Sequence, residues 1–215
     1  ILIYDDFSND NTAGIIEDKF VNNQLVSFYK GTANKGAGYA RQVLLKKATG
    51  NFIAFLDADD WWYPRKLEQQ VSILSVEKCD IVTCGYDVYD VSGEILGSRI
   101  PFSIINIWSM HLTNWLSTSM TIFRKDLTCA TEMPQIRKRQ DYGFWLKIFK
   151  NNKHLKCRVV NERLGGYLRR SNSLSSGKIS NLRHNYMMFR QVLGYSHISS
   201  AVLVFLNVIV RLFRT

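Results

Sequence analysis

The apolar positions change their spacing along the chain, and this change predicts an α/β protein. Short apolar runs of the kind that form strands alternate with stretches in which apolar residues recur at helical spacing. Strands and helices that alternate in this way indicate a mostly parallel central sheet flanked by helices. The predicted strands are residues 1–4, 25–29, 52–56, 80–84, 117–123 and 163–168, and the predicted helices are residues 15–20, 36–48, 64–74 and 141–150.

The same pattern predicts which side chains face the core. In the helix that begins near Pro64, the apolar stripe is formed by Leu67, Val71 and Leu74. A hairpin turn is expected near residues 92–93. In the helix of residues 141–150, the inward side chains are expected to be Tyr142, Trp145, Ile148 and Phe149.

Residues 198–213 form the most apolar segment, and they predict an amphipathic C-terminal helix. The unbroken apolar run ends at Asn207 and is shorter than the roughly 20 residues that a membrane-spanning helix needs. Arg211 and Arg214 follow it directly. The helix is therefore expected either to lie in a membrane interface or to pack against a core or a second subunit. We divide the chain into a domain of residues 1–177 and a helical extension of residues 178–215.

Composition narrows the classes of protein without choosing one. The 215 residues are 46% hydrophobic and 21% charged, which is typical of a globular domain rather than a disordered chain. The four cysteines are scattered without a CxxC pair, which argues against a zinc site or a disulfide framework and favours reduced thiols in the cytoplasm. The net charge of +10 suits nucleic acid, anionic lipid or a phosphate-bearing substrate.

Three carboxylates stand out against this basic background. Asp57, Asp59 and Asp60 follow the predicted strand 52–56, and in open α/β sheets ligands bind beyond the carboxyl ends of strands. One carboxylate there would serve as a turn or helix cap, but three in four residues repel one another unless a cation is present. Closely spaced oxygen ligands suit Mg²⁺ or Mn²⁺, which often takes phosphate oxygens as its other ligands. The pattern predicts a metal–diphosphate site.

Other polar and aromatic residues admit two interpretations each. Asp5 and Asp6 end the first strand and precede Ser8, so they either form a polar loop or bind a base or ribose hydroxyl. Trp61 and Trp62 either stack on a sugar or acceptor or pack within the protein. By itself, Asp141 is an acid in the first turn of a helix, where the helix dipole favours it.

Three segments together resemble the family 2 glycosyltransferases with the GT-A fold. They are "YDDFSNDNT", "NKGAGYARQVLLKKATGNFIAFLDADDWWYPRKLEQQV" and "RQDYGFWLKI", and the resemblance runs from residue 1 to about residue 176. It is strongest to bacterial enzymes that build O-antigen, capsule or teichuronic-acid-type polysaccharides. It implies a Rossmann-like GT-A catalytic domain over residues 1–177, whose first strand and helix would precede this chain.

The resemblance also implies roles for the acidic residues. Asp5 or Asp6, with Ser8, would contact the base or ribose of a nucleotide. Asp59 would be the main metal ligand, with Asp57 as a second ligand nearer the ribose. Asp60 would support the metal through its water shell, and Arg41 would lie near the base or the phosphates. Asp141 would be the catalytic base, although Gln140 replaces the Glu that usually precedes it.

Residues 167–177 resemble the late loop that closes over the diphosphate in this family. Some members carry a histidine metal ligand there, and this chain has none between residues 167 and 177. Basic and hydroxyl side chains would hold the phosphate oxygens instead. These side chains are Arg169, Arg170, Ser173 and Ser175.

The implied activity is an inverting sugar transfer that depends on Mn²⁺ or Mg²⁺. The donor would be a nucleotide diphospho-sugar, in particular a UDP-sugar, and the acceptor a polyprenyl-diphosphate-linked glycan. The enzyme would be peripheral on the inner face of the bacterial cytoplasmic membrane and would bind no nucleic acid. Two alternatives remain at this point: a metal-dependent nucleotidyltransferase that releases pyrophosphate, and an inactive nucleotide-binding or membrane scaffold.

Overall fold

A computed structural model describes residues 1–170 and 178–212, and it confirms an α/β architecture. Two short 3₁₀ turns, Thr118–Met120 and Lys125–Thr128, accompany the regular elements. The strands are β1 (Leu2–Asp5), β2 (Ser27–Lys30), β3 (Phe52–Ala54), β4 (Trp61–Trp62), β5 (Ile81–Tyr89), β6 (Ile95–Arg99), β7 (Ile122–Arg124) and β8 (Cys157–Leu168). The helices are α1 (Thr12–Phe20), α2 (Ala37–Lys47), α3 (Lys66–Val76), α4 (Ile107–Leu112), α5 (Gln140–Asn151), α6 (Lys178–Gln191) and α7 (His197–Leu212).

The strands form two sheets, and most of their pairings are antiparallel. β1 and β2 form a parallel pair, while the larger sheet has the order β3-β7-β5-β8-β4 with β6 on β5. Within the larger sheet, of the pairings described, β5–β8 is parallel and the others are antiparallel. The prediction of a mostly parallel sheet is therefore wrong. The apolar period identifies a buried strand, but it carries no information about the direction of that strand's neighbours.

Three strands also differ from the prediction by five residues or more. β5 is the first, because it continues to Tyr89, beyond the predicted end at residue 84. Residues 117–123 are not one strand, because a 3₁₀ turn at Thr118–Met120 precedes β7. β8 begins at Cys157, six residues before the predicted start, and it includes the exposed polar residues Asn161 and Glu162. These polar side chains hide the strand from a search for apolar runs. The predicted hairpin turn is confirmed between β5 and β6, where Asp90 accepts hydrogen bonds from Ser92 and Glu94.

The main core lies between the larger sheet and α5. Tyr142, Trp145, Ile148 and Phe149 are all buried, as the helical spacing predicts. Phe123 of β7 meets Trp145 edge-on, with 5.1 Å between ring centroids. α6 adds Met188 and Phe189 to the same core. The division of the chain at residue 177 remains a prediction.

The buried face of α3 differs from the predicted stripe. Leu74 is buried, but Leu67 and Val71 are 45% and 36% exposed, and Lys66 and Gln70 are fully buried in their place. The Gln70 amide donates hydrogen bonds to the carbonyls of Val82 and Met120, at 3.2 and 2.9 Å. These long-range bonds offset the cost of burying a polar side chain, so the helix turns a mixed face toward the sheet.

The outward face of α7 is apolar, and its inward face combines buried polar residues with Leu203 and Val204, which pack against the main core. Ser200 and Asn207 are buried, and Asn207 is bonded to Asn185 of α6 and to the carbonyl of His111 in α4. No helix within residues 1–170 and 178–212 has both the length and the apolar character to cross a membrane. The outward face of α7 carries Ile198, Val202, Phe205 and Leu212.

Candidate active site

The acidic loop, residues 57–60, leads from the end of β3 to β4 at the edge of the larger sheet. The N–H of Asp60 donates to the carbonyl of Asp57 at 3.0 Å, which closes a turn. β4 then pairs with β8, with Trp61 opposite Gly166. The acidic loop thus runs from β3, at one end of the strand order, to β4 at the other end, where the pairing with β8 anchors it.

Asp60 points into the protein. Its carboxylate accepts a hydrogen bond from the Ser119 hydroxyl at 2.5 Å and one from the Leu168 N–H at 3.3 Å. Burial raises the pKa of Asp60 to about 6, and the neighbouring charges of Asp57 and Asp59 act in the same direction. These contacts favour a structural role in which Asp60 ties the acidic loop to the end of β8, rather than a place in the water shell of a metal.

Asp57 and Asp59 point outward, and each faces a guanidinium group. Their side chains are both 40% exposed. Nη2 of Arg41, on α2, lies 2.5 Å from Oδ1 of Asp57. Nε of Arg170, just beyond β8, lies 3.6 Å from Oδ2 of Asp59. The fold therefore brings together four residues that the sequence placed in the site.

Ser119 is a central residue of the acidic loop that sequence reasoning missed. Its hydroxyl accepts a hydrogen bond from the Asp57 N–H at 3.1 Å and donates to Asp60, and its carbonyl accepts from the Trp62 indole at 2.6 Å. It lies in a stretch without a recognisable motif, so no local signal marks it. Three bonds to one residue fix the loop's shape.

The two tryptophans have different surroundings. The Trp62 indole is committed to Ser119, and the Lys66 ammonium lies 4.3 Å from the centre of its ring. Trp61 remains 36% exposed, and its ring packs 4.6 Å from that of Tyr89. It also covers Gly166, where a Cβ atom would lie 2.2 Å from the indole. Of the two, Trp61 is the one with a surface to offer a ligand.

Asp5 and Asp6, in the segment "YDDFSNDNT", stabilise their own loop and the start of α2. Asp5 accepts hydrogen bonds from the N–H and the hydroxyl of Ser8. Asp6 accepts from the N–H groups of Lys35 and Gly36, at 2.9 and 2.6 Å. Gly36 has a φ of 87°, which favours glycine at this point. Asp6 thereby fixes the helix that carries Arg41.

Asp141 lies in the first turn of α5, beside the same helix α2. With its amide oxygen facing α2, Gln140 accepts a hydrogen bond from the Gly38 N–H at 2.9 Å, and its amide nitrogen donates to the carbonyl of Ile136 at 2.7 Å. Gly38 and Arg41 are three residues apart and so share one face of α2. That face therefore contacts both the acidic loop and the start of α5.

The late basic segment is only partly described. Arg170 reaches Asp59, as noted above, and the N–H of Arg169 donates to the carbonyl of Tyr89 at 2.7 Å. Ser173 and Ser175 lie outside the described residues. The ion pair of Arg170 with Asp59 therefore places the beginning of this segment beside the acidic loop.

The donor set of the acidic loop suits a divalent ion that is shared with a phosphate ligand. Within residues 1–170 and 178–212, no three His, Cys, Asp or Glu side chains converge as a metal cage. Mg²⁺ and related ions are, however, commonly held by one or two carboxylates together with substrate phosphates and water. Asp57 and Asp59, half-exposed and beside two guanidinium groups, fit that arrangement.

Comparison with known proteins agrees with this geometry. The family model described as "Glycosyl transferase family 2" matches residues 1–131, the part that contains β1, α2 and the acidic loop. The chain belongs to this family. The family 2 resemblance inferred from the three sequence segments is confirmed.

Two bacterial relatives match over most of the chain. TuaG of Bacillus subtilis, whose name assigns it as a glycosyltransferase of teichuronic acid biosynthesis, is 30% identical over 193 residues, which are 89% of this chain and 76% of TuaG. WfgD of Escherichia coli is named as a UDP-Glc:α-D-GlcNAc-diphosphoundecaprenol β-1,3-glucosyltransferase. It is 27% identical over 188 residues, which are 86% of this chain and 72% of WfgD.

A solved structure shows the same fold. Residues 1–349 of S. aureus TarS, crystallised with UDP-GlcNAc, superimpose with a TM-score of 0.71 at 20% sequence identity. The match covers 96% of this chain and 62% of the TarS chain. The GT-A-like fold expected for family 2 is thus confirmed, with the mixed strand directions described above.

Proposed function

We propose that this family 2 protein transfers a sugar, with inversion, from a nucleotide diphospho-sugar to a hydroxyl of a lipid-linked glycan. The observation that carries the proposal is the convergence of Asp57, Asp59, Arg41 and Arg170 on one half-exposed loop beside α2. Carboxylates that can hold a cation and guanidinium groups that can hold phosphate oxygens are the two parts of a diphosphate site.

Asp59, with Asp57 as a second ligand, would hold Mn²⁺ or Mg²⁺. The bound ion would neutralise charge on the leaving diphosphate. At 3.6 Å and with both side chains well exposed, the pair of Arg170 with Asp59 is weak. Arg170 would therefore be available to the phosphate oxygens, and Arg169 and Ser173 are proposed to bind them as well.

Asp141 would act as the base. It takes the proton from the acceptor hydroxyl, whose oxygen forms the bond to the anomeric carbon. The bond from that carbon to the diphosphate oxygen breaks, and its electron pair leaves with the nucleoside diphosphate. Attack from the side opposite the leaving group inverts the carbon.

The donor is proposed to be a UDP-sugar and the acceptor a polyprenyl-diphosphate-linked glycan. The names of WfgD and of the TarS complex support this choice. Asp5, Asp6 and Ser8 are proposed to meet the base or ribose, beside the start of α2. Trp61, with its exposed ring face, is the better placed tryptophan to stack on a sugar.

We further propose that α7 holds the protein on the inner face of the cytoplasmic membrane. Its exposed apolar stripe supports this, as does Trp108, which is 77% exposed on the helix α4 that packs against α7. The net charge of +10 favours an anionic leaflet, where each basic side chain near the surface contributes about 1 kcal/mol. A lipid-linked acceptor would be presented at that surface.

The product of the reaction tests the proposed activity. Full-length protein incubated with Mn²⁺, a UDP-sugar and a GlcNAc-diphospholipid should release UDP and no pyrophosphate. A nucleotidyltransferase would release pyrophosphate instead, and an inactive scaffold would release neither. Asp141→Asn should abolish UDP release in the presence of acceptor.

Asp126→Asn is the matched control for this test. Asp126 follows β7, and Arg124 of β7 pairs with Phe52 at the start of β3, so Asp126 lies at the far end of β3 from Asp57. The control should keep the wild-type rate. Release of pyrophosphate by the wild type, or an unchanged rate in Asp141→Asn, would contradict the proposed chemistry.

A further inference from the structure

Asn114, between α4 and the 3₁₀ turn at Thr118–Met120, reaches the proposed base. Its side-chain nitrogen Nδ2 donates a hydrogen bond to Oδ2 of Asp141 at 3.0 Å. We infer that Asn114 is a positioning residue, which holds the Asp141 carboxylate so that Oδ1 is the oxygen that takes the acceptor's proton. The inference rests on the proposed function of Asp141.

The orientation of the Asn114 amide is determined by a second hydrogen bond. Its oxygen Oδ1 accepts from the backbone N–H of Leu116 at 3.2 Å. Because an amide has one accepting end and one donating end, the NH₂ group must face Asp141. The opposite orientation would place an oxygen against a carboxylate oxygen and an NH₂ group against an N–H, so both contacts would be repulsive.

The backbone around Asn114 is held by its neighbours. The Trp115 indole donates to the carbonyl of Ser109 at 3.1 Å, and Leu116 is fully buried. The side chain of Asn114 therefore extends from a fixed point. A donor that is itself fixed restricts the carboxylate it binds, which is the requirement for positioning a base.

The stretch of residues 114–119, which we name the connecting segment, contacts both halves of the candidate site. Asn114 at its start binds Asp141, and Ser119 at its end binds Asp57 and Asp60. Among residues 1–170 and 178–212, the Asn114 amide is the only hydrogen-bond partner of the Asp141 carboxylate. Removing it leaves the carboxylate free to rotate, while the acidic loop keeps its own bonds through Ser119.

Two substitutions separate positioning from structural support. Asn114→Ala removes both hydrogen bonds. Asn114→Asp keeps an oxygen that accepts from the Leu116 N–H but places a second carboxylate against Asp141. A purely structural role would be preserved in Asn114→Asp, whereas a positioning role would be lost in both variants.

We expect both variants to lower kcat by about 30-fold or more, since a misplaced catalytic group costs on the order of 100-fold. KM for the UDP-sugar and the Kd for UDP should change less than about threefold, because Asn114 contacts the base and not the acidic loop. Asn152→Ala is the matched control. Asn152 closes the other end of α5, where its amide donates to the carbonyl of Ile148 at 2.9 Å. It should lower the melting temperature without lowering kcat.

The outcomes distinguish this inference from the proposed function. Wild-type kcat in Asn114→Asp would overturn the inference, as would a loss in Asn114→Ala that lies in the donor KM or matches the loss in Asn152→Ala. If the wild type released no UDP, or if Asp141→Asn kept its rate, the proposed function would fail and the inference with it.

Discussion

At the scale of single residues, the three acids of the acidic loop have different surroundings. Asp57 and Asp59 are half-exposed and face guanidinium groups, whereas Asp60 is buried and bonded to Ser119 and Leu168. The carboxylates of Asp57 and Asp59 are open to solvent and so to a ligand, whereas both oxygens of Asp60 are already bonded within the protein. The structure divides the cluster on that basis.

Asp59→Asn should abolish metal-dependent transfer while the fold remains intact. The substitution keeps the side chain's size but removes the charge that would hold the ion beside the diphosphate. We expect the rate of UDP release to fall by about 100-fold or more, and added Mn²⁺ to restore little of it. Circular dichroism and the melting temperature should match the wild type. Full activity in this variant would exclude Asp59 as a metal ligand.

Lys66 is a buried ammonium whose pKa is lowered to about 8, chiefly by burial. Its Nζ has no hydrogen-bond partner among the described residues, and burial raises the pKa of the nearby Cys84 thiol to about 11, so that thiol supplies no negative charge near neutral pH. Because the folded-state pKa lies below that of unfolded lysine, the unfolded chain binds more protons between about pH 8 and about pH 10.5. The free energy of unfolding therefore rises with pH across that window.

Lys66→Met should stabilise the protein at pH 7. The change relieves on the order of 3 kcal/mol of unfavourable burial and removes on the order of 1 kcal/mol of attraction to the Trp62 ring. We expect a net gain of about 2 kcal/mol at pH 7 that shrinks or reverses by pH 10, measured by urea unfolding. Exposed Lys153→Met is the control and should leave the free energy unchanged. A difference that stayed the same at both pH values would refute the assignment.

At the scale of elements, the candidate site depends on α2 and the connecting segment. α2 contacts the acidic loop through Arg41 and the start of α5 through Gly38. The connecting segment reaches the same two places through Ser119 and Asn114. Neither of them is a strand of the sheet. The geometry of the site is therefore set by α2 and the connecting segment, which pack beside the ends of the strands.

Ser119→Ala should loosen the acidic loop. It removes the donor to Asp60 and the acceptor of the Asp57 N–H, and leaving buried polar groups unpaired costs about 1–3 kcal/mol. Urea unfolding should show that loss, and the donor KM should rise. In the matched Ser117→Ala, the carbonyl that Thr121 bonds to is retained, and we expect a change within about 0.5 kcal/mol. Equal stability of the two variants would contradict the role of Ser119.

At the scale of the whole molecule, α7 presents apolar side chains outward because its polar residues are bonded inward. Asn207 bonds to Asn185 and to the carbonyl of His111, and this fixes the rotation of the helix. Phe205, on the outward face, is 64% exposed. The resulting apolar stripe is a property of the packed helices and does not follow from the segment's composition alone.

Phe205→Ser and Val202→Ser should weaken binding to anionic vesicles. Each change removes apolar area that would enter the bilayer interface, and we expect the double variant to bind at least about tenfold more weakly, which corresponds to about 1.4 kcal/mol. Co-sedimentation with phosphatidylglycerol vesicles measures this. Val76→Ser, at an exposed site on α3, is the control. Unchanged binding in the double variant would exclude α7 as the membrane contact.

The sequence by itself determined the family, the acidic loop and most of the elements, although it did not indicate β4 or α4. These features depend on neighbouring residues: the apolar spacing of α5, the run of Asp57, Asp59 and Asp60, and the order of three motifs. Each is visible in a window of a few tens of residues. The direction of the strands and the buried face of α3 were not predictable in this way, because both are set by distant partners.

Only the tertiary structure decided which side chains complete the candidate site. Ser119 is 62 residues from Asp57, and Asn114 is 27 residues from Asp141. The role of a serine or an asparagine depends on the group that it hydrogen-bonds, and the sequence around it does not show which group that is. Asp60 makes the same point in reverse: its place in the acidic run suggested a metal's surroundings, but a hydrogen bond across 59 residues turned it inward. Local sequence sets what a residue can bind, and long-range packing decides what it does bind.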